Sequence, residues 1–412
     1  MADTASQISL MILLLGGIIV VTIFIRSGLK KAGLPSLVAF IALGIVLRIT
    51  DSLTPFLSRE ILEILEFMAK VGIVILLFRV GLESNLKGLL SKIKHASLIW
   101  TGNIVFSGFT GFAAALYLMR LDLIPSLFIG VAMTATSVGI SLSVWRETGN
   151  IKSPVGELLI DVAEMDDISG ILLLTFLLSL VPVLHQGMTA SIGGTLAEDL
   201  GILMIKLIIF GSLCLFFSVY VEKRITAFFT RLGHSPDPML MVVGFGFIIT
   251  GLAALLGFSM AMGAFFAGLV FSRDPKAVKL DASMEALSDL FVPFFFIGIG
   301  LKLDPRVLSS SLGWMGLLLI VAVLGKLIGN GLLSLTVTGW APALLISVSM
   351  IPRAEITMVI MQKGHELGEW VVPQDVFSSM VLVAFITSLI GPIWLRPLLN
   401  RCPQKTKQIE TG

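Results

Sequence analysis

Apolar runs long enough to cross a membrane recur along this chain from close to its first residue to close to its last, and no other feature constrains its fold as much. A helix needs about 20 predominantly apolar residues to cross roughly 30 Å of hydrocarbon, and inside hydrocarbon only helices and closed barrels satisfy their own backbone groups. Composition agrees: 56% of the 412 residues are hydrophobic, 14% are charged and the mean hydropathy is +0.99, more apolar than a soluble core can bury. The runs read as an all-α polytopic membrane protein of about 13 transmembrane helices. Their centres fall near residues 17, 42, 72, 106, 135, 168, 211, 247, 265, 294, 324, 353 and 385. The expected organisation is one transmembrane domain over residues 1–400, with no separate soluble domain, and a short cytoplasmic tail over 399–412. The opening MADTASQ holds no Lys or Arg, so it lacks the basic start of a signal peptide and the first run should stay as a helix.

Several function classes drop out early. Cys214 and Cys402 form neither a disulfide framework nor a metal-ligand cluster, and no nucleophile–base set stands out. The chain therefore reads as no enzyme, with no catalytic residue, cofactor, structural metal or nucleic-acid partner. The net charge of +2 says little, but the placement of charge says more. With the N-terminus outside, most Lys and Arg fall in inner loops such as RSGLKK, KGLLSKIK and RDPKAVK and in the tail RCPQKTK, whereas HQGMTASIGGTLAED has none. This excess predicts a multi-pass protein of a cell inner or plasma membrane, N-terminus outside and C-terminus cytoplasmic.

The two halves of the chain echo each other. AFIALGIV at Ala39 resembles AFFAGLVF at Ala264, LFRVGLE at Leu77 resembles FIGIGLK at Phe296, and LFIGVAM at Leu127 resembles LLISVSM at Leu344, in the same order and at nearly constant separation. Each separation crosses an odd number of spans, so the copies should be inverted in the membrane, with repeats over about 8–182 and 237–398 and a linker helix over about 200–222. Inverted repeats typify secondary transporters, whose sites lie at mid-membrane between discontinuous helices. The breaks are expected at Thr134, Ala135, Thr136, Ser137 and Gly139 in the fifth span, and at Pro352 in the corresponding span of the other half.

Five charged groups fall deep in spans: Asp166, Asp167, Lys326, Arg353 and Glu355. A charge at the bilayer centre costs about 3 kcal/mol even on a lenient scale, so such groups face the interior and find partners. Neighbours on a helix point about 100° apart, so Asp166 and Asp167 cannot both face Lys326. One carboxylate pairs with the lysine and the other faces the cavity, where a proton and a small hard cation compete for the same oxygens beside the broken segment. That competition is a physical basis for antiport. Arg353 and Glu355 suit the neutralisation of half-helix dipoles at the crossing, and Glu164, on the same face as Asp167, is a candidate accessory carboxylate. Glu66 and Lys70 have the spacing of a helical ion pair, and His95, His185, His234 and His365 fall in loops or near span ends.

AMTATSVGISLSVWRETG, GELLIDVAEMDDISGILLL, VPFFFIGIGLKLD, VLGKLIGN and SMIPRAEITMVI together resemble the bacterial sodium/proton antiporters of the monovalent cation:proton antiporter-2 family, over nearly the whole chain. The resemblance implies a thirteen-helix fold with a core domain and a dimerisation domain, a homodimer in the lipid bilayer, and elevator-like alternating access. By it, Asp167 is the cation and proton carboxylate, Asp166 is the partner of Lys326, and Thr134 and Thr136, with Ser137 beside them, belong to the unwound, cation-coordinating crossing. It departs at Glu164, where the family carries an apolar residue, and at Ala354, where glycine is common. The implied activity is exchange of Na+, or Li+, for H+, electrogenic if Lys326 also gives up a proton. A K+/H+ antiporter would use the same constellation; a sodium-coupled solute symporter or a non-transporting membrane sensor are the alternatives of another class.

Overall fold

The computed structural model describes residues 2–32, 36–83, 93–187, 205, 208–221, 224, 238–256, 258, 260–272, 281–303 and 308–402. Regular structure among them is helical throughout. Helices α1 (Ala2–Ala32), α2 (Ser36–Leu53) and α3 (Arg59–Glu83) lead to α4 (93–118), which contains π-helical turns at Asn103–Ser107 and Ala114–Leu118. Next come α5 (Leu123–Thr134), α6 (Val138–Glu147), α7 (Pro154–Gly187), α8 (208–221), α9 (Pro238–Leu255) and α10 (Met260–Phe271). The chain continues through α11 (Asp281–Leu301), α12 (Leu308–Thr338), α13 (Trp340–Ser349), α14 (Glu355–Glu366) and α15 (Gln374–Arg401). Every expected span centre lies in one of these helices or in the two gaps α5/α6 and α13/α14. The basic stretches within 84–92 and 273–280, most of HQGMTASIGGTLAED, His234 and the tail beyond Cys402 lie outside the described residues.

Among the described residues, eight helical stretches are long and apolar enough to cross a membrane, and α10, α13 and most of α9 are shorter apolar helices. Only 11% of the apolar window in α1 is buried inside the protein, and Leu13, Phe24 and Leu255 are largely exposed. Faces this apolar are at equilibrium only against lipid, so the chain is a multi-pass membrane protein.

The helices pack in two groups. In one, α3 lies against both α10 and α11, with α2 on α11 and α9 on α10. In the other, α12 packs on α4, α13 and α15, while α5 packs on α4, α7 and α14. A second apolar cluster, built on Trp145, Leu159, Ile346 and Leu395, ties α6, α7, α13 and α15 together within that group.

Glycine contacts in the first group expose the internal symmetry. A Cβ on Gly44 of α2 would collide with Ile297 O and Gly300 Cα of α11; one on Gly268 of α10 would collide with Phe78 O and Gly81 Cα of α3. Ile297 and Gly300 follow Phe78 and Gly81 at the same separation as Phe296 follows Leu77, so the two contacts exchange halves. Gly72 meets Phe291, its own counterpart at that separation, as expected for residues near a pseudo-twofold axis. The contacts match Gly44 to Gly268, a register one position shorter than the match of Ala39 to Ala264 had suggested. Low-complexity apolar strings align equally well one position apart, whereas backbone approach singles out the glycines.

Candidate ion-binding site

The site begins where two helices stop. α5 ends at Thr134 and Ala135 turns extended (φ −64°, ψ 146°) before α6 starts at Val138. Across from it, Pro352 has no N–H to donate and disfavours helical geometry at Ile351, so the chain is irregular from Ile351 to Ala354 before α14. The two irregular segments cross: Ser137 N–H donates to Pro352 O at 2.8 Å. Gly391 of α15 and Gly170 of α7 lack the Cβ that would strike Pro352 and Ile356, so both helices close on the crossing. The breaks fall at 135–137 and 351–354; Gly139 lies inside α6 and its absent Cβ would meet nothing within 4 Å.

Unwound backbone at depth leaves carbonyls that need donors, and two buried cations supply them. Arg353, fully buried, donates to Met133 O, to Ala135 O at 2.9 Å and to Ala132 O at 3.3 Å, at the C-terminal end of α5. The position suits a cation, since a helix C-terminus carries partial negative charge. Thr387 and Ser388 of α15 hold the Arg353 backbone from behind, contacting its N and O at 3.2 and 3.1 Å. Lys326 of α12, also fully buried, donates to Thr134 O and the Thr136 hydroxyl at 2.5 Å and to Asn103 Oδ1 at 2.7 Å. Glycines place it there: a Cβ on Gly102 of α4 would strike Gly329 O of α12, so the two helices touch backbone to backbone next to Asn103 and about one turn from Lys326.

The carboxylates divide. Asp166 of α7 is 1% exposed; its Oδ1 accepts from Asn103 Nδ2 at 2.5 Å, and its Oδ2 lies 3.8 Å from Lys326 Nζ without a hydrogen bond of ordinary geometry. Asp167 is half-buried and within electrostatic reach of Lys326. Glu355, the first residue of α14, accepts from the Ser137 hydroxyl at 2.5 Å; a carboxylate in a first turn meets partial positive charge. Glu164 is half-buried one turn before Asp167.

The structure thus gathers the five deep charges at one crossing. The hydroxyls already have partners: Thr134 Oγ1 donates to Val131 O at 2.8 Å, Thr136 accepts from Lys326, and Ser137 donates to Glu355. Asn103 was not singled out from the sequence, although an amide within the span that contains TGNIVFSGFTG is an intramembrane polar residue of the kind that marks a site. Trp100 was missed as well; its Nε1 donates to Ser169 Oγ at 3.0 Å, and Ser169 donates to Asp166 O at 2.9 Å.

Attraction between Lys326 and Asp166 at about 4 Å amounts to roughly 4 kcal/mol at a protein-like dielectric, while desolvation costs several kcal/mol for each ion. The pair does not repay its burial in stability, which makes function the better reason for it. Two inverted halves with broken helices crossing around buried charge define the class of secondary transporters. The chain belongs to the sodium/hydrogen exchanger family, whose transmembrane-domain model matches residues 16–401. It is 28% identical over 351 residues to the high-affinity Na+/H+ antiporter NhaS3 of a Synechocystis species, covering 82% of this chain and 72% of that one. It is 26% identical to the Na+/H+-K+ antiporter GerN of Bacillus cereus, over 89% of this chain and 90% of that one. The solved structure of the sodium proton antiporter MjNhaP1 from Methanocaldococcus jannaschii shares the fold, with a TM-score of 0.69 at 15% identity, covering 96% of this chain and 99% of that one.

Proposed function

We propose that this protein exchanges Na+ for H+ across its membrane by alternating access. The observation that carries this reading is the fully buried Lys326–Asp166 pair at the crossing of the two broken helices, with a second carboxylate, Asp167, next to it. Asp167, half-buried where Asp166 is sealed, is the carboxylate that loads either a proton or the cation. A bound Na+ replaces hydration with hard oxygen ligands: carboxylate oxygens of Asp167 and Asp166, with help from Thr134 at the end of α5 and from Thr136 and Ser137 in the unwound segment. One ion excludes the other, and that exclusion is the coupling. Arg353 and Glu355 hold the ends of the half-helices so that the crossing keeps its shape when the cargo changes.

Lys326 decides the charge moved. If it stays protonated, one Na+ replaces one H+; if Na+ at the aspartates frees it to lose its proton, two H+ leave per Na+ and transport is electrogenic. We favour the second, because the ammonium is sealed from water and bonded to the broken segment itself. The repeats over 8–182 and 237–398 flank the linker helix, the α4–α7 and α12–α15 group serves as the moving core, and the other group serves as the dimerisation domain of a homodimer. The protein is a transporter and no enzyme, with its N-terminus outside and its C-terminus in the cytoplasm.

The test is dequenching of a pH dye in proteoliposomes on addition of Na+, Li+ or K+. Na+ and Li+ should release the quench in wild type, and Asp167→Asn should abolish the response to every cation. A K+ response larger than the Na+ response would move the protein to the K+/H+ reading, which the relative named a Na+/H+-K+ antiporter keeps in view. Full activity in Asp167→Asn would remove the site.

A further inference from the structure

The ion pair at the site is not a direct one. Lys326 Nζ has three N–H groups, and three neutral oxygens take them: Asn103 Oδ1, Thr134 O and Thr136 Oγ1. Its distance to Asp166 Oδ2 is 3.8 Å, beyond hydrogen-bond reach, and that oxygen, sealed from solvent, makes no hydrogen bond of ordinary geometry. Two neutral groups lie between the charges: the Thr136 hydroxyl, which accepts from Lys326 and is within reach of the Asp166 carboxylate, and the Asn103 carboxamide. The carboxamide oxygen faces Lys326, and its nitrogen faces Asp166 Oδ1 at 2.5 Å and Thr134 O at 3.0 Å. Asn103 is itself fully buried and pinned on α4, where the Ser107 hydroxyl donates to the same Oδ1 at 3.1 Å. Neither orientation nor identity is free. A flipped amide would turn its N–H groups to the ammonium and its oxygen to a carboxylate, and an apolar side chain would leave both charges short of a partner.

We propose that Asn103 is a positioning residue that sets cation affinity: by engaging Lys326 and Asp166 separately, it holds the ammonium off Asp166 Oδ2 and keeps that oxygen open to the transported ion. Leaving a buried carboxylate oxygen without a hydrogen bond is costly, and its persistence here has a use if a hard cation is what completes it. Without the amide, the lysine N–H that Asn103 Oδ1 now accepts has Asp166 Oδ2 as the adjacent open acceptor. A direct ion pair forms there, and an arriving cation must break it.

The inference rests on the Na+/H+ exchange reading, and the experiment separates the two. Na+-dependent dequenching is measured in proteoliposomes over a range of Na+ concentrations and pH for wild type, Asn103→Ala and Asn103→Ser. Asn103→Ala should raise the apparent KM for Na+ by about tenfold or more, the equivalent of one hydrogen bond to a charged group, with the maximal rate changed far less. Asn103→Ser, which keeps a small acceptor, should fall between the two, and it carries the test if the alanine variant does not fold. A lower maximal rate at unchanged KM in the variants would overturn the proposal, because a purely structural role predicts that result. A wild type that gives no Na+ response would instead bring down the exchange reading itself.

Discussion

Lys326 spends its whole donor capacity on oxygens of the crossing and none directly on Asp166. Its removal therefore has two separable consequences. Lys326→Ala leaves Asp166 as an uncompensated buried charge, a loss of about 3–5 kcal/mol, and tryptophan-fluorescence melts in detergent should show a clearly lower midpoint. If Lys326 is also the carrier of the second proton, Na+-driven flux in wild-type proteoliposomes should respond to an imposed membrane potential, and in Lys326→Gln the residual flux should not. A wild-type flux indifferent to potential would make exchange electroneutral and leave Lys326 a structural counter-ion. The charged part of this site was legible from the sequence, since an ionised group deep in an apolar run has few reasons to be there; Asp166, Asp167, Lys326, Arg353 and Glu355 stood out on that ground. Asn103, Trp100 and Ser169 did not, because neutral polar groups cost less to bury and recur singly in spans. Only the fold shows that these three converge on Asp166.

The helices of the first group are held at a distance that only glycine permits. Gly81 and Gly268 meet across α3 and α10, and Gly44 and Gly300 across α2 and α11, each position lacking room for a Cβ beside the facing backbone. Backbone cannot rotate aside as a side chain can, so Gly268→Val or Gly300→Val should push the helices apart, at about 1–3 kcal/mol or more by overpacking. Gly251 on α9 has nothing within 4 Å of an added Cβ, and Gly251→Ala should leave the melting midpoint unchanged or slightly raised. Equal melts for Gly268→Val and Gly251→Ala would show that the close approach is dispensable. The elements themselves were legible, since apolar runs and breakers are local properties, and the gaps opened at the hydroxyl-rich and proline-bearing segments. The register of the repeat slipped by a single position in its first pair, because contacts between helices in opposite halves of the chain leave almost no local trace.

At the scale of the molecule, the two helix groups are clasped by polar side chains at one end. Lys302, one residue past α11, lies 3.5 Å from Glu366 at the end of α14, and Gln374 at the start of α15 donates to Lys302 O at 2.8 Å. Lys363 and Gln362 complete the cluster on Glu366 at 2.7 and 3.0 Å. Any sliding of one group past the other must break the Lys302 contacts and spare those within α14. Burial pushes the Glu366 carboxyl upward, but Lys363, Gln362 and Lys302 outweigh it and hold the group below the ordinary glutamate value. A carboxyl whose folded pKa is depressed stabilises fully above its unfolded value, near ~4.3, and loses that contribution as pH falls through the lower folded value. Glu366→Gln should therefore melt below wild type at neutral pH by an amount on the order of 1 kcal/mol, discounted for its partial exposure. The gap should narrow as the pH falls below the unfolded value and on through the lower folded one, because the wild-type carboxyl then takes up its proton too. Melts of both proteins in one detergent from pH 7 to pH 3.5 decide it: a gap that widens on acidification would have the opposite sign and take the clasp out of the stability of the fold.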